Sequence, residues 1–336
     1  MKILIIRLGA LGDVIMTTPL IQAIKQHSDL FQIDYLVGKS YAKALETNPH
    51  IKQLISVDES IFHNKDPLAI LSLAHKLHKK KYDLVITLDK HYLFSVFSWL
   101  INAPNRYGFS RSIRNQRLTS FVYFKGDQHE RWYYNEIGKL MGVLTTGIKP
   151  NVYPSKKDML FADSIANKGH RLVGLAPGGC VNKGQRLLQK RWPFKHYKTL
   201  ITLLNNGGFK PVLFGDHNDL HYNKQFVGCI NLTSKLTIQK SSALMDVCPV
   251  LVMHDSGPLH IASTTKSHIV ALFGPTPAYR FGPGENSTIL SCQVDQSLKC
   301  SPCYDQQGNF TNCGHLDCMN MLTPYEVMRT IKESFK

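Results

Sequence analysis

Apolar residues in this chain come in short, nearly unbroken runs, and most of these runs are followed by a stretch with helical periodicity. Lys2-Ile3-Leu4-Ile5-Ile6 opens the series. A continuous apolar run, rather than strict alternation, is expected of a parallel strand covered on both faces. The run passes through Leu8-Gly9-Ala10-Leu11-Gly12-Asp13 into a helical pattern that lasts to about residue 26. Further strand-helix pairs are predicted at 33–37 with a helix near 41–47, at 53–57 with 69–81, and at 82–88 with 92–101. After a mostly polar stretch around 150–170 the rhythm restarts. Strands are predicted at 172–175, 211–215, 229–232, 250–253 and 268–274, with helix-length sequence between most of them, as at 194–206 and 237–246. Alternation of this kind predicts open, doubly wound parallel sheets, an α/β fold. Two domains are expected, 1–160 and 161–322, followed by a C-terminal helix over 323–336 with Thr323 as cap and Pro324 in its first turn.

The totals narrow the class. At 336 residues the chain is long enough for two cores. With 43% hydrophobic and 19% charged residues it reads as globular, not disordered or fibrous. The four apolar residues Ile3 to Ile6 are too few for an export signal, and the uncharged run from Tyr92 to Ile101 is too short to span a membrane. That run predicts a buried helix, with a helix lying on a membrane surface as the other reading. A cytoplasmic protein, attached to the inner membrane surface by charge, is the expectation.

Lys and Arg number 40 against 24 acids, a net charge of +16, so anionic partners are expected. No acid occurs from Lys90 to Lys125, nor from Ser164 to Gly215. Two solvated basic faces would account for this; a positively charged cleft between the domains is the sharper reading. Nucleic acid is not expected as a partner, because neither an RNA-binding signature nor a helix-turn-helix pattern is present.

Eight cysteines without an export signal should be reduced. Four cluster late: Cys300 and Cys303 at zinc-ligand spacing, then Cys313 and Cys318 with His315 between them. This spacing allows a structural zinc, while a thiol-rich packed loop without metal is the alternative.

The densest chemistry lies in His254-Asp255-Ser256-Gly257-Pro258-Leu259-His260, between an apolar strand and a short helical pattern. Strand, small-residue turn and helix start can hold an anion on exposed backbone amides, although Asp255 or Ser256 can equally be a helix cap. Asp13 lies beyond the carboxyl end of the first strand, where open α/β sheets place their ligands. Gly9-Ala10-Leu11-Gly12 lacks the G-x-G-x-x-G spacing, so a dehydrogenase is not indicated.

Gly12-Asp13, Lys190-Arg191-Trp192-Pro193, Asp255-Ser256-Gly257-Pro258-Leu259-His260 and Phe273-Gly274-Pro275-Thr276, in that order, resemble the heptosyltransferases, glycosyltransferase family 9. The resemblance implies a GT-B fold, with two Rossmann-like domains facing each other across a cleft. It also implies inverting transfer of heptose from ADP-heptose to the inner core of lipopolysaccharide, with no required metal or other cofactor. Asp13 would be the catalytic base. On the donor side, Lys190 would contact the phosphate, with Lys183, Arg186 and Arg191 in support and the loop from Gly178 onward around it. Asp255 would hold sugar hydroxyls, Ser256 and the Gly257 amide would face the phosphates, His260 would add a hydrogen bond or simply pack, and Asp219 would read the ribose. On the acceptor side stand Gly12, Thr17 and Thr18, with Arg106, Arg111 and Arg114 for acidic groups of a lipid-linked acceptor. Another nucleotide sugar on the same fold, or a silent binder of nucleotide or anionic lipid, remain the alternatives.

Overall fold

The computed structural model describes residues 1–112, 115, 117–166, 168–182, 185–293, 298–306, 309–311 and 313–335, with the main chain only at 182 and 185. The chain forms two units, Met1–Asn151 and Val152–Lys336.

In the first unit a six-stranded parallel sheet has the order β3-β2-β1-β4-β5-β6. Its strands are β1 (Lys2–Ile6), β2 (Gln32–Gly38), β3 (Gln53–Val57), β4 (Leu84–Thr87), β5 (Asn105–Ser110) and β6 (Ser120–Tyr123). The helices are α1 (Leu11–Met16), α2 (Thr18–His27), α3 (Ser60–His63), α4 (Pro67–His78), α5 (Tyr92–Ile101) and α6 (Glu130–Lys139). β1 is central, which is why Ile3 to Ile6 are all fully buried. Leu4 and Ile6 pack with Phe62, Ile70, Leu77, Phe97 and Ile101 of α3, α4 and α5. Strand alternation sends Ile3 and Ile5 to the other face.

The single helix expected up to residue 26 is broken at Thr17. Pro19, in the first turn of α2, has no amide to continue the ladder of α1. The helix expected near 41–47 is one 3₁₀ turn, Ala42–Ala44. β5 and β6 were not anticipated: Asn-Arg-Tyr-Gly-Phe-Ser has no strand-like pattern, and only its place beside β4 makes it one.

The second unit repeats the plan, in the order β11-β10-β7-β12-β13-β14, all parallel. β7 (Arg171–Leu175), β10 (Phe209–Leu213), β11 (Ile230–Asn231), β12 (Val250–His254), β13 (His268–Phe273) and β14 (Ser287–Ser291) form the sheet. β8 (Val181–Asn182) and β9 (Gln185–Arg186) make a small hairpin. The helices are α7 (Lys156–Ala166), α8 (Phe194–Asn206), α9 (Leu220–Asn223), α10 (Ile238–Asp246), α11 (Gly257–Ala262), α12 (Ala278–Phe281), α13 (Asp317–Asn320) and α14 (Pro324–Glu333). α7 packs on α10 and belongs to the second unit; a boundary at 160 falls within this helix. α14 does not stand apart. Val327, Met328 and Ile331 share a core with Leu200 and Leu204 of α8, and the buried Trp192 indole donates to the Leu322 carbonyl at 2.8 Å.

In each sheet the direction of winding reverses beside the central strand, between β1 and β4 and between β7 and β12. Crevices at the carboxyl ends of such strands are where open α/β sheets bind ligands. Just beyond the carboxyl ends of these four strands lie Arg7 and Asp13, Asp89 and Lys90, Gly178 and Gly179, and Asp255 and Ser256.

Candidate functional site

In the first unit the loop after β1 is organised by one buried guanidinium. Arg7 reaches Asp13 at 2.8 Å through one terminal nitrogen and Asp89 at 3.1 Å through the other. The latter nitrogen also donates to the Leu88 carbonyl, and the Leu8 amide donates to Asp89. Burial disfavours the charge on Arg7, but Asp13 and the other acidic neighbours outweigh it and hold it firmly protonated. Burial wins at Asp89, pushing its carboxyl above the usual range despite Arg7. Asp13, at the third position of α1, accepts the Ala10 amide at 3.2 Å, and the Tyr134 hydroxyl stands 3.5 Å from its other oxygen. Its side chain keeps 24% exposure, against a nearly closed Arg7. Asp13 is thus partly a helix-start residue, and its carboxylate is also fixed in direction by a charged clamp while one side stays wet. Beside it Lys90 pairs with the buried Glu130, and burial lowers the Lys90 pKa.

In the second unit the four residues 190–193 have four different jobs. Lys190 forms a buried ion pair with Asp255 at 2.7 Å. Burial opposes the Asp255 charge, yet Lys190 and then His260, whose Nε2 lies 4.0 Å away, hold the carboxyl below its ordinary value. Burial likewise opposes the Lys190 charge, and Asp255 more than restores it. Arg191 turns inward: two of its nitrogens donate to the Gly179 carbonyl at 3.0 and 2.6 Å, and one approaches Asp219 at 3.4 Å. Trp192 is core, and Pro193 caps α8.

The turn after β7 depends on its glycines. A Cβ on Gly178 would lie 2.2 Å from the Asp219 carboxyl carbon, and Gly179 takes φ +80°, a region L side chains rarely adopt. Asp219 accepts the Gly179 amide at 2.8 Å and the Asp216 amide at 3.1 Å, so its buried carboxylate holds this turn. Ser256 is the N-cap position of α11, but its hydroxyl donates back to the His254 carbonyl instead of capping. Gly257 is the first residue of that helix, which is only six residues long. His254 itself is buried, 3.1 Å from the Tyr197 hydroxyl, and burial pushes its pKa down to about 3.

Several expected residues do other work. Thr17 and Thr18 are buried, and their hydroxyls donate to the Val14 and Ile15 carbonyls. Thr17 also pairs with the Tyr35 hydroxyl and Thr18 accepts the Asn151 amide, so both hydroxyls brace the local fold. Gly12 is buried inside α1. Arg106 spends its guanidinium on the Arg117 and Ala103 carbonyls. Arg111 is exposed and lies 5.2 Å over the Phe124 ring. Arg114 and Lys183 lie outside the described residues, while Arg186 is exposed on β9. Arg7, Asp89 and Tyr134 were missed. The first two could have been found by collecting every charged residue just beyond a predicted strand; Tyr134, on α6, had no such signal.

Cys300, Cys303, Cys313 and Cys318 line a single cavity of about 500 Å³ together with His315 and Gln189. Among the described residues no group of three or more His, Cys, Asp or Glu side chains is arranged to hold a metal ion, so the structural zinc allowed by the spacing gains no support. Burial pushes the Cys318 thiol, on α13, up to about 12, which keeps it neutral.

Comparisons with known proteins bear on the fold and the family. The family model for glycosyltransferase family 9 (heptosyltransferase) matches residues 70–313. The lipopolysaccharide heptosyltransferase 2 of Salmonella typhimurium is 25% identical over 297 residues, covering 82% of this chain and 83% of that protein. A family 9 glycosyl transferase from Veillonella parvula superposes with a TM-score of 0.82 at 24% identity, covering 99% of this chain and 96% of the other. A structure of an E. coli heptosyltransferase with ADP-2-deoxy-2-fluoro heptose gives a TM-score of 0.72 at 16% identity, with 99% of both chains covered. The match spans well over half of the chain, and two parallel six-stranded sheets are the GT-B arrangement: this chain belongs to glycosyltransferase family 9, the heptosyltransferases, and is a glycosyltransferase.

Proposed function

We propose that this enzyme transfers heptose from ADP-heptose to a hydroxyl of the lipopolysaccharide inner core, with inversion. The observation that carries the reading is the part-exposed Asp13 carboxylate, aimed by a buried guanidinium at the carboxyl end of the central strand. In the reaction the acceptor hydroxyl gives its proton to Asp13 while its oxygen bonds to the anomeric carbon. The bond from that carbon to the diphosphate breaks on the opposite side, and ADP departs with the electron pair. General base catalysis and stabilisation of the leaving charge are the two needs of such a step. Lys190, kept charged and directed by Asp255, supplies the positive charge for the diphosphate, so the reading assigns that task to a side chain and not to a metal. Asp255 and His260 face the donor sugar, and Ser256 and Gly257 its phosphates. Asp219 and Arg191 shape the Gly178–Gly179 turn that receives the nucleotide, in place of a direct contact from Asp219 to the ribose. Arg111 is the described acceptor-side cation, with Arg114 beside it in sequence. The enzyme would work at the inner membrane surface on the cytoplasmic side, where a lipid-linked acceptor is presented; among the described residues no helix is long and apolar enough to cross a membrane.

The ADP-2-deoxy-2-fluoro heptose of the E. coli neighbour, and the lipopolysaccharide named for the Salmonella relative, support this choice of substrates. The test is ligand-dependent melting followed by turnover. ADP-heptose should stabilise the protein, and Asp13→Ala should lower turnover about 10²- to 10⁴-fold with donor affinity nearly intact. Stabilisation by a UDP-sugar and by no ADP-sugar would refute the donor, and full turnover in Asp13→Ala would refute the base.

A further inference from the structure

α4 and α5 lie side by side over one face of the first unit's sheet, and their outward surfaces do not look like ordinary solvated helix. On α4 the inward stripe is Ile70, Ala74 and Leu77, all buried. The opposite side carries Leu68 at 78% and Leu71 at 49% exposure. On α5 the inward residues are Phe94, Phe97 and Ile101, while Tyr92 and Trp99 stand 66% and 53% exposed on the far side. A notch of about 280 Å³ between the helices, lined by Leu71, Leu100 and two histidines among others, joins the two apolar surfaces. Solvent exposure of four large apolar side chains on adjacent helices is not explained by packing within this unit.

The two helices of this surface carry no acid of their own; the exposed Asp66, which caps α4 by accepting the Leu68 and Ala69 amides, is the acid at its upper edge. From Pro67 to Tyr82 the sequence contains four lysines and two histidines and no acid, and from Lys90 to Ile101 there is again none. Lys76, Lys79 and Lys81 are exposed at and beyond the α4 C-terminus. Aromatic and aliphatic side chains projecting from a basic, acid-free helical face match the chemistry of an anionic lipid surface: the rings and leucines enter the headgroup boundary and the lysines meet phosphate. Helix N-termini in a parallel α/β sheet lie at the carboxyl ends of the strands. The α4–α5 face therefore runs from the rim that carries Arg7, Asp13 and Asp89 down to the lysines.

We propose that the outer face of α4 and α5, with Leu68, Leu71, Tyr92 and Trp99 as insertions and Lys76, Lys79 and Lys81 as the basic border, docks the enzyme on an anionic phospholipid bilayer. The proposal rests on the membrane-side reading given under Proposed function and names the surface responsible. Docked in this way, the rim bearing Asp13 is held beside the headgroups from which a lipid-linked acceptor projects.

The test uses the full chain and vesicles of phosphatidylcholine with or without phosphatidylglycerol. Binding should need phosphatidylglycerol and weaken with salt. Binding should also blue-shift tryptophan emission in the wild type but not in Trp99→Phe. The pair Leu68→Ser with Trp99→Ser should weaken vesicle binding at least about tenfold, and Lys76→Gln, Lys79→Gln and Lys81→Gln together roughly a hundredfold at low salt. Unchanged binding in both sets of variants, or equal binding to uncharged vesicles, overturns the proposal. So does loss in the leucine-tryptophan variant of a concentration-dependent dimer without change in lipid binding, which would make this a face between two copies. Turnover separates this result from the catalytic reading. The apolar variant should keep activity on a deacylated, soluble acceptor and lose it on a vesicle-embedded one. A wild type that binds vesicles through this face but turns over neither acceptor sinks the acceptor assignment and leaves the docking surface standing.

Discussion

Replacing Arg7 with methionine takes the cation from between two carboxylates while keeping much of the side-chain length. The structure sets the scale of the loss. Arg7 holds Asp13 at 2.8 Å, Asp89 at 3.1 Å and the Leu88 carbonyl at 2.9 Å, all from a buried position. Removing one partner of a buried ion pair costs about 3–5 kcal/mol, because the charge left behind is uncompensated. Asp89 softens this: burial already pushes its carboxyl upward, so without Arg7 it takes up a proton instead of remaining a bare anion. The expected loss therefore sits near about 3 kcal/mol, which in a unit spanning residues 1–151 lowers the melting temperature by roughly 10 °C. Asp13 loses its clamp at the same time, and turnover should fall about a hundredfold, as for other small misplacements of a reacting group. The donor KM should change little, because the proposed donor groups lie in the other unit. Arg7→Lys should recover part of the stability and little of the turnover, since one ammonium cannot imitate a fork between two acids. Calorimetric melting and steady-state kinetics on Arg7→Met, Asp89→Asn and the double variant decide the matter. The double variant should be more stable than the sum of the single losses predicts, by about 1–3 kcal/mol. Strict additivity, or wild-type turnover in Arg7→Met, would show that the three residues do not act as one unit.

Three further outcomes follow from the second unit. Lys190→Met strands the buried Asp255, so ADP affinity should drop about tenfold or more in calorimetric titration. The stability gap to wild type should be widest above about pH 4 and close as the pH falls further, because a carboxyl whose folded pKa is depressed contributes only while ionised. Gly178→Ala drives a Cβ to within 2.2 Å of Asp219 and should cost about 1–3 kcal/mol along with ADP binding, whereas Gly314→Ala, built into open space, should melt within about a degree of wild type. His254 stays neutral in the fold down to about pH 3 but takes a proton when unfolded below about 6.5, so stability should decline as pH falls through that window, by up to about 1.4 kcal/mol per unit. Denaturant titrations of His254→Gln across that range should show a shallower decline; an unchanged slope would reject the assignment.

The regular, fully buried strands were legible because each is nearly continuous in Val, Ile and Leu: β1, β12 and β13 announce themselves. β5, β6 and β14 were not, since Asn105–Ser110 carries arginine and glycine and takes its conformation from its neighbours in the sheet. Asp13, Lys190 and Asp255 were legible through the motif order and through position at strand ends. Their partners were only half legible. Asp255 and Lys190 were each singled out, but nothing in spacing says that two residues so far apart in sequence meet at 2.7 Å. Arg7, in turn, read as one more base in a basic protein.

That last point bears on how the net charge of +16 is to be understood. The two acid-free runs predict either solvated basic faces or a positively charged cleft between the domains, but several of their arginines are engaged with groups of their own unit. Arg106 binds two main-chain carbonyls, Arg191 clamps the Gly179 turn, and the exposed Arg171 lies over the Phe209 and Phe335 rings. An arginine can do this because its planar fork satisfies several oxygens at once and its faces accept aromatic packing. The lysines divide differently: Lys90 and Lys190 are held against single acids, while Lys76, Lys79 and Lys81 are exposed at and beyond the end of α4. On the proposed reading, charge for a diphosphate is thus concentrated in Lys190, and charge for a lipid surface in Lys76, Lys79 and Lys81. The arginines chiefly fix the loops on which both depend.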